Sequence, residues 1–438
     1  MRKLEKKYAN ELVVVGVHSA KFPNEKDSGN LHNAVRRYQL EHPVINDSKF
    51  QVWQQYSCRA WPTLMFIDPQ GNVIGKHEGE MSFDQFDDLI SQMVAEFEKD
   101  GTLNRKPFPT TFRKPENTQL SFPGKVLSDG SSDRLFIADT NHNRIVVSSL
   151  DGDLRQIFGS GQEALIDGPA NAAAFNHPQG MTLDGEVLYV ADTENHAIRK
   201  VNLVSGTVET VAGTGKQGHN RNKRGPAISS DLCSPYDLTH YNGTVFIAMA
   251  GIHQLWSLDA EKGLIGPFAG DGGEAITDGP LGSAQLAQPC GITTDGVRLY
   301  FADSETSSIR CADIDPTGNV RTIVGLDLFV FGDADGSDHN VRLQHPIGIT
   351  YYGSDLYVTD TYNHKIKRVS PIARSSFTVL GSGASGNMDG LASQAQFSEP
   401  SGISWANGKM YIADTNNHVI RVADIGSGEV STLKISGL

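Results

Sequence analysis

Cysteine is scarce in this chain: Cys58, Cys233, Cys290 and Cys311 are four among 438 residues. No two stand at Cys-x-x-Cys spacing, so neither a redox pair nor a clustered metal site is written in the sequence. Four scattered thiols do not make a disulfide framework, which favours a reducing compartment, the cytosol. Long apolar runs are also missing. No stretch reaches the roughly twenty residues of a membrane helix, and no membrane partner is expected. Positive charge is the third deficit. Residues 1–118 carry 16 basic and 16 acidic groups, whereas the remainder carries 22 and 35 and holds the whole net charge of −13. Phosphate binding needs local positive charge, so no nucleic-acid partner is expected. The exception is Lys216-Gln-Gly-His-Asn-Arg-Asn-Lys-Arg224. It reads first as a solvated loop and second as a contact for an acidic partner.

What the chain has in abundance is repetition. Six copies of one phrase are centred on Pro123, Pro178, Pro235, Pro289, Pro346 and Pro400, with spacings of 55, 57, 54, 57 and 54 residues. A fixed period of this length marks units that bury their apolar faces against their neighbours. About a dozen residues after each proline, an apolar run ends in an acid: Asp139, Asp192, Asp303, Asp360 and Asp414, with Met249 in the third unit. Four residues further stand His196, His253, His364 and His418, with Asn143 and Ser307 in the first and fourth units. Two residues beyond that, every unit has an aliphatic: Ile145, Ile198, Leu255, Ile309, Ile366 and Ile420. Each unit reads as four short strands separated by Gly, Asn and Asp turns. Six four-stranded units around an axis make a six-bladed β-propeller, with blades starting near residues 122, 177, 234, 288, 345 and 399.

The wording Pro-x-Gly-Ile/Met, followed by the phrase complete from Leu188 to Arg199, resembles the NHL repeat. The resemblance runs from about Phe122 to Leu438. The third unit departs from it, with Met249 for the acid and Trp256 where Arg199 stands in the second. The motif acids and histidines are expected to be structural, each histidine bonding within its own blade while the acid ties the turn. The alternative, four imidazoles converging on the axis to hold a metal, is suggested by an NHL-type family of peptide-amidating lyases. No metal and no cofactor are expected here. Gly348 and Gly402, in the Pro-x-Gly phrase, are expected to need positive φ. Asp167-Gly168, Asp278-Gly279, Asp335-Gly336 and Asp389-Gly390 fall at matching inter-blade connections. They are read as lying on the same face as the histidine turns, where a protein partner would dock. Asp333-x-Asp335-Gly-x-Asp338 faintly resembles a calcium loop, without its closing Glu. Closure of the ring has two candidate devices, addition of residues 118–121 to the sixth blade or a further C-terminal segment.

Residues 1–100 are different material. Glu11 to Val17 is a continuous apolar run of buried-strand type, Leu31 to Leu40 and Lys49 to Tyr56 have helical patterns, and His42 to Asn46 reads as a short strand. Ala60 to Ile67 and Asn72 to His77 read as strands joined by a turn, and Ser82 caps a last helix. Strands alternating with helices indicate an α/β unit. The segment Trp61-Pro62-Thr63-Leu-Met-Phe-Ile67 resembles the thioredoxin-like fold, in which the proline matched by Pro62 is cis and lies beside the redox site. The family's first strand and Cys-x-x-Cys have no counterpart in this chain, so no catalytic residue is assigned, and Cys58 reads as a buried structural thiol. Residues 101–117, with Pro107, Pro109 and Pro115, read as a semi-rigid linker.

The fold class is therefore mixed: a truncated α/β thioredoxin-like domain over 1–100 and an all-β six-bladed NHL propeller over 118–438. This combination resembles a family found in animals, plants and bacteria, whose members carry a redox site in the first domain and are tied to redox homeostasis. The reading for this chain is a monomeric protein-binding scaffold that is redox-inactive as written and not an enzyme. The alternative is a thiol–disulfide oxidoreductase whose cysteines lie upstream of Met1.

Overall fold

The computed structural model describes residues 1–106 and 118–438, which divide into one compact unit ending at Asn117 and a second beginning at Thr118. The expected linker lies, from residue 107 onward, outside the described residues.

In the first unit, α1 (Arg2–Lys7), β1 (Gly16–His18), α2 (Ser28–Arg37), β2 (Val44–Asn46), α3 (Gln51–Gln55), β3 (Thr63–Ile67), β4 (Val73–Glu78) and α4 (Phe83–Lys99) follow in order. Strands β1 and β2 pair in parallel, β3 and β4 pair antiparallel, and the two pairs form separate two-stranded sheets. Helix α4 starts at a capping box in which Ser82 Oγ accepts from Gln85 N while Gln85 Oε1 accepts from Ser82 N, satisfying two first-turn amides. Its apolar stripe, Phe86 and Ile90, meets Leu4 and Tyr8 with Leu64 and Phe66 of β3. The apolar run before β1 does not become a buried strand. Val13, Val15 and Val17 are all exposed: only residues 16–18 find a paired strand, and the face carrying Val17 and its partner Ile45 is uncovered.

The second unit is a ring of six antiparallel sheets. The innermost strand starts at the motif proline in blades two, three, four and six and three residues after it in blades one and five, and the second strand ends at the motif acid or its substitute. Blade two, for example, runs Pro178–Asp184, Val187–Asp192, Ala197–Asn202 and Thr207–Ala212. Blades two to six each have a fifth, two-residue strand: Gly168–Pro169, Gly225–Pro226, Gly279–Pro280, Gly336–Ser337 and Gly390–Leu391 pair with the outermost strand. The Asp-Gly connections therefore run along the outer edge of the blade they precede, rather than over the face of the histidine turns.

The apolar core is six inter-blade layers. Phe136, Ile145 and Phe158 of blade one meet Met181, Val190 and Val201 of blade two, and the pattern repeats around to Tyr411 and Ile420 against Leu135, Ile137 and Val146. Alternation along each strand sends successive side chains to opposite neighbours, so no blade buries its own core. The ring closes through the C-terminal residues. Ser436 bridges Asp153 beside the outermost strand of blade one, and the Gln119 side chain donates to Ile435 O at 3.3 Å. Thus the C-terminal end adds to the first blade, with residues 118–121 packed beside it.

The glycines of the Pro-x-Gly phrase are required by proximity. Neither Gly348 nor Gly402 has positive φ. A Cβ on Gly348 would lie 2.3 Å from Ser401 O of the next blade, and one on Gly402 2.6 Å from Lys125 Cα. Gly348→Ala is expected to cost about 1–3 kcal/mol as overpacking. Gly282→Ala, with nothing within 4 Å of its Cβ, is expected to leave the thermal midpoint unchanged; equal midpoints for the two variants would refute the steric assignment.

Candidate functional site

The turn from second to third strand is the same in every blade, and the residue that closes it has left-handed φ: Asn143, His196, His253, Ser307, His364 and His418 lie between 48° and 59°. That geometry aims the side chain out of its own blade. Ser234 N donates to His196 Nδ1 (3.1 Å), Gln288 N to His253 Nδ1 (3.1 Å), Glu399 N to His364 Nδ1 (3.1 Å) and Phe122 N to His418 Nδ1 (3.0 Å). Asn143 Oδ1 accepts from His177 N, and Ser307 Oγ from His345 N, in the same way. Each acceptor thus holds the residue just before the next blade's proline. The expectation of a bond within the blade is corrected: the left-handed turn places the imidazole against its neighbour. Thr140, Thr193, Ser304, Thr361 and Thr415 add a parallel set, each hydroxyl donating to the carbonyl of the next motif proline.

The motif acids do tie the turn, and they do more. One oxygen of Asp139, Asp192, Asp303, Asp360 and Asp414 accepts a backbone N–H at 2.6–2.7 Å from the connection entering the blade. In blades two, four and six the other oxygen binds a wholly buried arginine, Arg199 at 2.7 Å, Arg310 at 2.9 Å and Arg421 at 2.9 Å. The same guanidinium reaches Asp167, Asp278 or Asp389 on the outer-edge connection. The Asp-Gly acids are therefore ion-pair partners of the blade, which removes them as a docking surface. Burial pushes Asp192, Asp360 and Asp414 up to about 6, so they remain carboxylates at neutral pH. In blade five a lysine replaces the arginine, and Lys367 Nζ meets Asp333 at 2.7 Å and Asp335 at 3.1 Å. The calcium-like carboxylates are thus neutralised by Lys367, with Lys365 also on Asp333.

Blade three changes all three members together. Met249 stands for the acid, Trp256 for the arginine and Arg224 for the connection's aspartate; Met249 and Trp256 are both buried. Trp256 Nε1 donates to Gln254 Oε1, and Gln254 Nε2 donates to Arg221 O and Gly270 O. This also anchors the basic loop of residues 216–224, whose Arg224 donates to Ser257 Oγ.

Two further residues escape the sequence reading. The third position of the proline phrase is glycine in four blades, Lys125 in blade one and Asp237 in blade three. Their side chains meet on the axis. Lys125 Nζ donates to Asp237 Oδ2 at 3.0 Å, to Cys290 O of blade four at 2.8 Å and to Ile347 O of blade five at 2.9 Å. Both groups are buried, and Gly180 leaves room for Asp237, whose Oδ1 would lie 2.3 Å from a Cβ there. The signal that could have found them is the double departure from glycine with opposite charge. Cys290, beside this pair, is pushed up to about 12 by burial and is an unreactive thiol. Among the described residues no three His, Cys, Asp or Glu side chains come together to hold a metal ion. The axis carries an ammonium group instead of converging imidazoles.

In the first unit Trp61–Pro62 is cis. Trp61 Nε1 donates to Ser19 O (2.8 Å), and its ring lies 4.5 Å from that of Trp53. Behind it Asp47 is buried and held below the usual carboxylate range: burial opposes the shift, but the amides of Trp53 and Val52 and the Ser19 hydroxyl outweigh it. Cys58 is half-buried, not buried as expected, since α3 ends before it.

Residues 1–94 match the family model of the thioredoxin-like domain, and residues 175–201 that of the NHL repeat. This chain is a thioredoxin-like domain joined to a six-bladed NHL propeller. Over 99% of its length it is 41% identical to the Protein SUPPRESSOR OF QUENCHING 1, chloroplastic, of Arabidopsis thaliana, covering 44% of it. It is 38% identical to NHL repeat-containing protein 2 of Gallus gallus and 37% identical to that of Homo sapiens, covering 65% of each. The chain thus spans less than two thirds of the length of these relatives. A solved protein of unknown function from Bacteroides thetaiotaomicron, 13% identical with a TM-score of 0.53 over 70% of each chain, shares the fold alone.

Within the NHL propeller these contacts make definite predictions. Lys125→Met leaves Asp237 as an uncompensated buried charge and is expected to cost about 3–5 kcal/mol in urea unfolding. Lys125→Met combined with Asp237→Leu is expected to recover much of that loss. Burial lowers the His364 pKa, so on acidification the unfolded chain takes up this proton first, and the contribution is lost as pH falls below the ordinary histidine value of about 6.5. His364→Asn keeps an acceptor, as Asn143 does in blade one. It is expected to make the loss of stability between about pH 7 and about pH 5 shallower than in the parent. The raised acids act in the opposite sense but equally in both proteins; parallel curves would refute the role of His364.

Proposed function

We propose that this protein is a protein-interaction scaffold whose propeller carries the docking surface. The supporting observation is a set of exposed apolar side chains on its hairpin turns. Val204, Tyr241, Val297, Tyr352, Ile372 and Ile425 are all exposed, and all lie at or beside the hairpin turns joining first to second or third to fourth strands. Strand direction puts every one of these turns on the face opposite the histidine turns, and the six come from blades two to six. Exposed apolar groups on turns that share one face offer an interaction surface, and the docking site is proposed there.

The thioredoxin-like domain is proposed to be an accessory without redox activity in this chain. Exchange of a protein disulfide through a mixed-disulfide intermediate is completed by a second thiol, and Cys58 is the single cysteine before residue 118. The remaining thiols, Cys233, Cys290 and Cys311, are buried and form no disulfide among the described residues, and the proposed compartment is the cytosol.

Affinity capture tests the scaffold reading. A partner retained by the parent is expected to be lost with the triple variant Val204→Asp, Val297→Asp, Ile372→Asp, while the thermal midpoint stays within a few degrees because all three side chains are exposed. Retention of the same partner by the triple variant would overturn it.

A further inference from the structure

The docking face has a chemistry that specifies its partner further. Along the hairpin turns of blades three to six, aromatic rings bridge from blade to blade. Tyr241 lies over the turn of blade four, with ring atoms 3.1–3.3 Å from where a Cβ on Gly296 would stand. Tyr351 stacks on Tyr300 across the next boundary, 5.8 Å apart and 3° from parallel. Tyr352 lies flat on Trp405 of blade six at 3.7 Å, with Tyr357 at 5.5 Å from the same indole. Tyr352 as a residue is 46% exposed. The indole already fills one of its faces, so the opposite face is offered to solvent.

Charge on this face is one-sided. The cations at its turns are already engaged: Arg134 with Asp129 and Glu186, Lys262 with Asp259, Arg298 with Asp313, Arg374 with Asp338 and Lys409 with Asp151. Carboxylates remain over. Among the described residues, Asp184, itself 54% exposed, meets no lysine or arginine and lies 3.7 Å from His240, while Asp315 is bonded only to Thr317. The electron-rich ring with an open face on blade five attracts a cation through its quadrupole, and the surplus carboxylates Asp184 on blade two and Asp315 on blade four, on turns of the same face, attract others through charge. A nucleic acid would be repelled by the same charges, and a neutral ligand would gain nothing from them.

We infer that this face binds a lysine- or arginine-rich segment of a partner protein, one basic side chain stacking on Tyr352 while others meet Asp184 and its neighbours. This rests on the scaffold reading and adds the chemistry of the occupant.

The test uses the full chain and a fluorescein-labelled peptide of about twelve alternating glycines and arginines, at physiological salt, where long-range attraction to a merely acidic protein is screened. The parent is expected to bind it. Tyr352→Ser, which leaves net charge unchanged, is expected to weaken binding about three- to five-fold, the worth of one exposed cation–π contact. Asp184→Asn is expected to weaken it further, and Phe329→Ser, at an exposed connection away from these turns, to leave it unchanged. Thermal midpoints of the variants exclude unfolding as the cause. Equal binding by parent and Tyr352→Ser, or no binding by the parent, would overturn the basic-segment inference while leaving partner capture through Val204, Val297 and Ile372 intact. Loss of the scaffold reading itself would show separately, as capture that survives the triple substitution.

Discussion

The propeller depends on one constraint, that every blade must be held to the next at the point where the innermost strand begins. A blade cannot bury its own apolar side chains, since alternate residues face opposite neighbours, and Phe136 and Leu188 are covered only where blades one and two meet. The positive-φ turn meets this need by carrying a hydrogen-bond acceptor out of one blade and onto the amide that precedes the next motif proline. Histidine, asparagine and serine all serve, because what matters is an acceptor at that reach. A neutral imidazole does so through Nδ1, and protonation would turn it into a donor facing a donor. From His418 to Phe122 the same bond closes the ring.

Around this acceptor the charged groups form a second layer, in which Asp139 of blade one is met instead by Arg144 and His142. Arg199, Arg310 and Arg421 each join the motif acid to the aspartate of the outer-edge connection, and blade five does the same with Lys367. Blade three exchanges acid, base and connection residue together for Met249, Trp256 and Arg224. A buried guanidinium left without its carboxylates would cost several kcal/mol, so partial replacement is disfavoured. The Lys125–Asp237 pair follows the same rule on the axis. Gly180 leaves room for it, and it joins blades one, three, four and five through one ammonium group.

Much of this architecture was legible in the residues themselves. The proline period reported six units, and the order of acid, acceptor and aliphatic reported where strands turn. In the first unit the Ser82 cap and the Trp61-Pro62 segment stood where they were read. Other features were not legible. Val13 to Val17 had a buried strand's composition but finds no pairing before Gly16. The Asp-Gly pairs looked like free loop turns because their partners, the arginines, lie about thirty residues further along the chain. Lys125 and Asp237 looked like irregularities of a motif, and only their meeting makes them a pair.

The division between sequence and structure follows the range of the interactions. The sequence by itself determined the number of blades, their boundaries and the backbone turn at each acceptor, because these arise from contacts within one repeat. Only the tertiary structure decided that the acceptors bind the neighbouring blade, that the C-terminal residues complete the first blade, and that Tyr352 lies on Trp405 of the next blade. Those outcomes depend on closing the ring, which sets residues separated by one to five repeats side by side, and no local pattern records which of them will meet.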